Sequence, residues 1–377
     1  MHRIGVWLPN WIGDVCMATP ALRALRSSFG QGVELVGVMR PVVNELLSGA
    51  NWFDRMVLFD KRASVGVKSR RGVVSALRSA RIDTMLLLPN SLWTALASRI
   101  AGIRRIVGYD RDCRGWLLSD RVSVPRDGRR LKPISAIDYY LELASWLGCD
   151  AVSRSTELTV TPHEVRLADQ LWAKIGFDAL CPTVVINNSG ATAPAKLWPA
   201  DSINALARRI VENHDWQVLL HCGPAELQAS QTSAASISHP RVRSMGEADS
   251  LPIGLSKSVL SRAALVISTD SGPRHMSVAL APKVISLFGS TDSVWTTTYN
   301  GNELTVEASL GCRPCWQKTC PLQHTDCMRL VSVDQVYAQV VEHMPNCPLV
   351  SRLDQLGCQG SPGISGYYWP DTELRLS

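Results

Sequence analysis

The residues best able to do chemistry gather in two polar turns, one near each end of the chain. Asp14 closes the first, in the run Pro9-Asn10-Trp11-Ile12-Gly13-Asp14. A carboxylate at the point where strand gives way to helix is either a helix cap or, in a cleft, a general base. The second turn is Thr269-Asp270-Ser271-Gly272, followed by Pro273 and, at the end of the next helical turn, His275. It offers two candidate N-cap side chains and a glycine for close backbone approach. Proline suits the first turn of a helix, where a missing N–H costs nothing. Unpaired N–H groups and the helix dipole make such a start an anion site. His275 is read as part of that site, with a purely structural histidine as the alternative. Lys196, in the small, polar stretch 187–199, would supply a point charge for an anion.

These turns need elements to hold them. Leu265-Val266-Ile267-Ser268 and Lys283-Val284-Ile285-Ser286-Leu287-Phe288 are short apolar runs, the mark of strands buried on both faces. Between them Met276, Val278, Ala279 and Leu280 supply the apolar residues of a helix. Around Asp14 the plan repeats: a strand at 3–8, then Val15, Ala18, Leu22 and Leu25 at helical spacing. The first half alternates strands at 3–8, 33–38, 56–59, 84–88 and 106–108 with helices at 18–29, 41–48, 69–79, 92–101 and 135–147. That alternation predicts an α/β fold with a doubly wound parallel sheet, in which ligands bind outside the carboxyl ends of the strands. The loop at Pro89-Asn90-Ser91 is a further strand-end loop; Ser91 either touches a ligand or caps a helix. Strands at 183–186 and 217–220, with helices at 163–175, 200–213 and 332–344, carry the pattern through the second half.

The motifs resemble those of a known family. NWIGD followed by VCMATPALRALR resembles the opening of the ADP-heptose:lipopolysaccharide heptosyltransferases, glycosyltransferase family 9. STDSGPRHMSVAL followed by VISLFGSTD resembles their nucleotide-sugar signature, and CRPCWQKTCPLQHTDCMRLVSVDQV the carboxyl end of the heptosyltransferase II branch. The resemblance covers roughly residues 3–343. It implies the GT-B architecture: two Rossmann-like doubly wound domains facing a central cleft. Residues 1–160 would bind acceptor, residues 161–344 would bind the nucleotide-sugar, and the last helix would cross back to the first domain. Residues 345–377, rich in Pro, Gly and Ser, lie outside the resemblance and are expected to be weakly ordered.

The resemblance also implies roles. Asp14 would be the catalytic base of an inverting transfer of heptose from ADP-heptose to the lipopolysaccharide inner core, on the first heptose. Donor contacts would come from Gly190, Ala191, Thr192, Lys196, Glu226, Thr269, Asp270, Ser271, Gly272 and His275. Acceptor contacts would come from Asn10, Trp11, Gly13 and Ser91. Two departures from the family pattern stand out. Ser189 replaces a usual proline. Arg274 replaces a commoner apolar residue and would either add charge at the diphosphate or point outward. No cofactor is required, with Mg at most stimulatory.

Cys312, Cys315, Cys320 and Cys327, with His324 among them, could hold a structural zinc, although the spacing is not that of a common zinc finger. Free thiols are the alternative.

Composition narrows the rest. At 377 residues, 46% hydrophobic and 19% charged, the chain can build two substantial cores. No apolar run approaches the ~20 residues of a membrane span. Pro9, Asn10 and Asp14 break the only candidate leader. A cytoplasmic protein is therefore expected. Residues 1–150 hold 22 Lys and Arg against 13 Asp and Glu, while the remainder is net acidic within the overall +6. Clusters at Lys61, Arg62, Lys68, Arg70, Arg71, Arg78 and Arg81, at Arg104, Arg105, Arg111 and Arg114, and at Arg126, Arg129, Arg130 and Lys132 would attract anions. With the resemblance, that field suits an anionic lipid-linked core oligosaccharide and peripheral contact with the inner face of the inner membrane, with no nucleic acid as partner. A salt-sensitive nucleic-acid or anionic-surface binder is a rival that would not need Asp14. A Rossmann oxidoreductase is disfavoured, because neither turn carries G-x-G-x-x-G. A family 9 transferase using another nucleotide-sugar is the nearest alternative.

Overall fold

The structure is a computed structural model that describes residues 2–60, 66, 69–128, 130–150, 153–190 and 193–344. Ala191, Thr192, the basic residues Lys61, Arg62, Lys68 and Arg129, and the tail 345–377 lie outside the described residues.

The first sheet is built from β1 (His2–Trp7), β2 (Val33–Met39), β3 (Arg55–Leu58), β4 (Thr84–Leu87), β5 (Arg105–Tyr109) and β6 (Asp120–Val122). Its strands run parallel in the order β3-β2-β1-β4-β5-β6. Helices α1 (Ile12–Phe29), α2 (Pro41–Leu46), α3 (Arg70–Ala80), α4 (Leu92–Ile100) and α5 (Ala136–Trp146) cover it, and β7 (Arg126–Asp127) and β8 (Arg130–Leu131) form a small hairpin.

The chain crosses to the second unit through α6 (Pro162–Ile175). The second sheet comprises β9 (Thr183–Asn187), β10 (Gln217–His221), β11 (Val242–Ser244), β12 (Leu265–Thr269), β13 (Val284–Phe288) and β14 (Glu303–Glu307). Its order, β11-β10-β9-β12-β13-β14, repeats the first sheet step for step, and it is again parallel. Around it lie α7 (Ala200–Asn213), α8 (Leu227–Ile237), α9 (Ile253–Arg262), α10 (Gly272–Leu280), α11 (Asp326–Arg329) and α12 (Val333–His343). Each sheet reverses its strand order once, between β1 and β4 and between β9 and β12. The loops that leave those strands are where such sheets bind ligands.

Helix α1 starts at Ile12, six residues before the expected start, and runs through Pro20. Proline has no N–H for the carbonyl one turn back. That carbonyl, of Cys16, instead accepts the Thr19 hydroxyl at 2.8 Å. The helix therefore continues, and Asp14 falls in its first turn rather than in a loop.

The two units share one apolar core. Val15, Leu22 and Ala144 of α1 and α5 join Leu171, Val259 and Met276 of α6, α9 and α10. Polar pins flank it. Lys257, fully buried, donates to Glu164 and to the carbonyl and hydroxyl of Ser48 at 3.0–3.1 Å. On the other flank Thr156 meets Asn300, Ser135 meets the Thr297 carbonyl, and Tyr299 donates to Asp138.

The last helix departs from the expected course. Val336, Val340 and Met344 pack with Trp198, Leu206 and Ile210 in the second unit's own core. Tyr337 meets His214 at 3.0 Å, and Arg209 stacks on the Tyr337 ring. An apolar stripe already satisfied on α7 has nothing left to carry it back to the first unit.

Candidate functional site

The site lies where the first turns of α1 and α10 meet, each leaving the strand end at its own sheet's reversal. The approach is close enough to require glycine on both sides. A Cβ on Gly13 would stand 2.7 Å from Cδ2 of His275, and one on Gly272 would stand 3.3 Å from Cβ of Ile12. Any larger residue would push the two helix starts apart.

Asp14 is half-buried beside this contact, and no described residue donates a hydrogen bond or ion pair to its carboxylate. Burial alone raises its pKa from 3.8 to about 6. The buried Tyr140 and Cys16 lie close enough that the Asp14 charge raises their pKa values further. Across the contact His275 is buried, and its Nδ1 has no partner among the described residues. Burial, helped by the Arg274 cation, lowers its pKa to about 4, so the ring is neutral near pH 7.

Asp270, one residue before α10's cap, behaves differently. Its Oδ2 pairs with Lys196 Nζ at 2.8 Å and accepts the Thr291 hydroxyl at 2.7 Å. Its Oδ1 faces Arg274 at 3.3 Å. Burial works against the charge, but Arg274 and Lys196 outweigh it and hold the pKa at about 2. Arg274 is almost fully buried and also pairs with Glu303 at 2.6 Å, over the face of Phe288. It neither points outward nor faces an open diphosphate site, so both readings made from the sequence are corrected. A guanidinium at the fourth residue after Asp270 (one helical turn on) fits a buried fork between two carboxylates. Glu303, on the edge strand β14, is the partner that sequence reasoning missed; no local signal links it to Arg274.

Lys196 is the exposed end of this network, since its side chain keeps about a quarter of its surface exposed. Gly190, before the undescribed Ala191 and Thr192, packs under Leu197 so tightly that a Cβ would lie 2.7 Å from its Cδ2. The Thr269 hydroxyl is spent on the Ser189 carbonyl at 3.1 Å, which makes it a brace between the two loops. Glu226 opens α8 and accepts the Gly223 N–H at 3.2 Å. Ser271 caps α10 by position but makes no side-chain cap bond.

In the first unit Trp11 stands at the start of α1 with its side chain largely exposed. The Asn10 carbonyl accepts Arg40 at 3.3 Å. Ser91 starts α4 without capping it. Arg114, read from the sequence as part of a surface field, is fully buried behind that loop. It donates to the Pro89 and Tyr109 carbonyls and to Asn90 Oδ1. It positions the 89–91 loop and is not free to meet an anion.

The cysteine segment, far away in sequence, underlies the second-unit loops. The Trp316 N–H donates to the Ser290 carbonyl at 2.9 Å, Ala195 N–H to the Lys318 carbonyl at 3.0 Å, and Arg313 to the Gly289 carbonyl at 2.6 Å. Cys312, Cys315, Cys320 and Cys327 are free thiols. Burial and the other three thiols raise the pKa of Cys327. Among the described residues no three His, Cys, Asp or Glu side chains converge to hold a metal ion.

Residues 70–326 match the family model for glycosyltransferase family 9 (heptosyltransferase), over two thirds of the chain. The chain belongs to glycosyltransferase family 9. It is therefore a glycosyltransferase, as the motifs at its two ends implied. Family relatives extend over nearly the whole chain. It is 23% identical to lipooligosaccharide heptosyltransferase 2 of Campylobacter jejuni, over 92% of this chain and 100% of that protein. It is 24% identical to lipopolysaccharide heptosyltransferase 2 of Salmonella typhimurium, over 76% of this chain and 83% of that one. The solved structure of E. coli ADP-heptose LPS heptosyltransferase II matches with a TM-score of 0.73 at 19% identity, covering 91% of this chain and 99% of that one. The two repeated sheets are thus the GT-B architecture of this family, and the first turns of α1 and α10 meet between them.

Proposed function

We propose that this family 9 enzyme moves heptose from ADP-heptose to the lipopolysaccharide inner core with inversion, adding the second heptose to the first. The observation that carries the reading is the contrast among three titratable groups around one cleft. Asp270 is a doubly paired carboxylate near pKa 2, His275 a neutral ring near 4, and Asp14 an unpaired carboxyl near 6. A general base works best when its pKa approaches the working pH, so Asp14 is the proton acceptor. It takes the proton of the acceptor hydroxyl as that oxygen attacks the anomeric carbon. The bond from that carbon to the ADP oxygen breaks on the opposite face, and its electron pair stays with the diphosphate.

The growing negative charge meets Lys196, the Ser271 hydroxyl and the open start of α10. These donors are fixed before the reaction begins, which favours the transition state over the ground state. Glu226 takes the ribose hydroxyls, and Gly190, Ala191 and Thr192 wrap the phosphates. Asn10, Trp11, Gly13 and Ser91 line the acceptor side. No cofactor enters these steps.

The acceptor is a lipid-linked anionic core oligosaccharide, met at the inner face of the inner membrane by a cytoplasmic enzyme in peripheral contact. No helix among the described residues is long and apolar enough to cross a membrane. Support for peripheral contact comes from exposed Arg70, Arg71, Arg78 and Arg99 beside exposed Leu92, Ile100 and Trp116.

The test is turnover of purified enzyme with ADP-heptose and core acceptors truncated after each inner sugar, read by mass spectrometry. One added heptose on the acceptor ending in a single heptose is expected. Transfer from a different nucleotide-sugar with none from ADP-heptose would overturn the donor assignment.

A further inference from the structure

Behind Ser271 lies a buried chain of hydrogen bonds that none of the steps above uses. Asn187, at the last position of β9, is 2% exposed. Its Nδ2 donates to Ser268 Oγ at 2.8 Å and to Ser271 Oγ at 3.0 Å. Its Oδ1 accepts the Ser189 hydroxyl at 2.7 Å and faces His221 Nδ1 at 3.1 Å. His221 Nε2 in turn lies 3.1 Å from Ser256 Oγ.

The orientation of the Asn187 amide sets the direction of the protons along this chain. Burial lowers the His221 pKa to about 4, so the ring is neutral near pH 7 and carries one N–H. An amide oxygen only accepts, so that N–H sits on Nδ1 and points at Asn187, and Ser256 donates to Nε2. Both hydrogens of Asn187 Nδ2 are then committed to the two serines. Ser268 passes its own proton to the Thr269 carbonyl at 2.9 Å. Ser271 receives a hydrogen from Asn187, and its own O–H has no acceptor among the described residues.

The same bond holds Ser271 Oγ away from its own helix. A cap serine normally accepts from the second or third N–H of the helix. Here Pro273 removes one of those donors, and Oγ does not take the other. Both the hydroxyl and the helix start are therefore left for an anion.

We infer that Asn187 is a positioning residue for the donor: oriented by His221, it fixes Ser271 as a hydrogen-bond donor to the diphosphate and keeps the start of α10 open. The inference rests on the placement of the donor diphosphate at Ser271 argued above. Asn187 does not touch the ligand; it acts through the polarity it imposes on Ser271.

The test is a double-mutant cycle on ADP affinity by calorimetry, with Ser271→Ala, Asn187→Asp and the double variant, each checked for folding by melting temperature. The size of a bond to a charged acceptor puts the Ser271→Ala loss at about tenfold or more. In Asn187→Asp the carboxylate accepts the Ser271 proton and turns the hydroxyl away, so a loss at least as large is expected. The double variant should bind ADP no worse than about threefold below Ser271→Ala, because the hydroxyl that Asn187 acts through is already gone. Because Ser271 meets charge that grows in the transition state and remains on the departing ADP, kcat should fall in both single variants along with ADP affinity.

If Asn187→Asp does not fold, Asn187→Leu, which removes the donor without adding charge, takes its place in the same cycle. Should Ser271→Ala bind ADP within about twofold of wild type, the diphosphate is not at Ser271, and the donor reading falls together with the inference. If Ser271→Ala weakens binding but the Asn187 variant does not, or if their losses simply multiply in the double variant, the donor reading stands and the positioning role is overturned.

Discussion

Replacing Asp14 by Asn should make the enzyme more stable and nearly inactive. The carboxyl is half-buried, and burial alone moves its pKa from 3.8 to about 6. A shift of about two units, at ~1.4 kcal/mol each, is roughly 3 kcal/mol, an upper bound because the group retains some contact with water. The sign follows from linkage. The unfolded chain gives up the Asp14 proton near pH 4 and the folded chain near pH 6. Wild-type stability at this site is therefore highest below pH 4 and falls as the pH rises through 4 to 6, the reverse of an ion-paired carboxylate. Asn keeps the shape without the charge, so Asp14→Asn should gain up to about 3 kcal/mol at pH 8 and almost nothing at pH 3.5. For cooperative unfolding of a chain this long, that is about 4 °C in melting temperature.

Turnover should drop by roughly 10²–10⁴, the usual contribution of a positioned general base. ADP affinity should hold, because Asn187, Ser271 and Lys196 are untouched. Wild-type turnover should climb with pH through about 6 as Asp14 ionises. The assay pairs chemical denaturation at pH 3.5 and pH 8 with turnover on the true acceptor. An acidic residue that only complements the helix dipole predicts something else: Asn should then be slightly less stable at pH 8, with no loss in rate. A folded Asn variant with turnover within about threefold of wild type, or one less stable at pH 8, would refute the argument and leave Asp14 as a first-turn acid of α1.

Three further outcomes are expected. Lys196→Ala should weaken ADP binding about tenfold by calorimetry while the protein stays folded, because Asp270 keeps Arg274; unchanged affinity would leave Lys196 only as a partner of Asp270. Asp270→Asn leaves Arg274 with Glu303 alone and Lys196 without its carboxylate, and chemical denaturation should show a loss of about 3 kcal/mol. The wild-type contribution of Asp270 is present above about pH 4 and is lost as the pH falls towards 2, so the gap between wild type and variant should narrow in acid. Cys312→Ser with Cys315→Ser should lower the melting temperature more than the turnover, since the segment braces the Gly289–Ser290 loop from below; a fully folded double variant without activity would give the thiols a chemical role.

Much of this fold is written in local patterns. Leu265–Thr269 and Val284–Phe288 are mostly apolar and buried at every position, as strands covered on both faces are, and the polar turn between them starts a helix where the spacing of Met276 and Val278 places one. The elements that escaped sequence reading are weaker in pattern. β11 has three residues, and β14 is an edge strand whose side chains alternate only partly into the core. The expected start of α1 at 18 is six residues late, since the polar run to Asp14 looks like turn throughout; the structure begins the helix at Ile12 and carries it through Pro20, with the Thr19 hydroxyl on the carbonyl left free. In the site, a charged residue's type was legible but its partners were not. Arg114 and Arg274 look from the sequence like surface cations, yet carbonyls and carboxylates from distant strands neutralise them. Burial of an arginine depends on what folds over it, and that information lies in residues such as Glu303, 29 positions away.

The capping pattern links the fold to the function. Ser69, Ser135, Thr161 and Ser332 each turn a hydroxyl onto the first turn of their own helices, α3, α5, α6 and α12. Ser91 and Ser271 have the same chemistry at the same position, but both leave α4 and α10 uncapped. Each of these two helices leaves the second of the strands between which its sheet reverses. A missing serine cap costs about 1 kcal/mol of helix stability. At Ser271 the cause of the open end is visible in the Asn187 bond. Asp14 carries a second cost of the same kind, a buried charge without a partner. The open helix start and the unpaired carboxyl belong to the two helices that meet at the Gly13–His275 contact, one suited to receive the negative charge of a leaving group and the other to receive a proton. Two such local costs, one on each side of the contact between α1 and α10, suit a site for displacement at a single carbon.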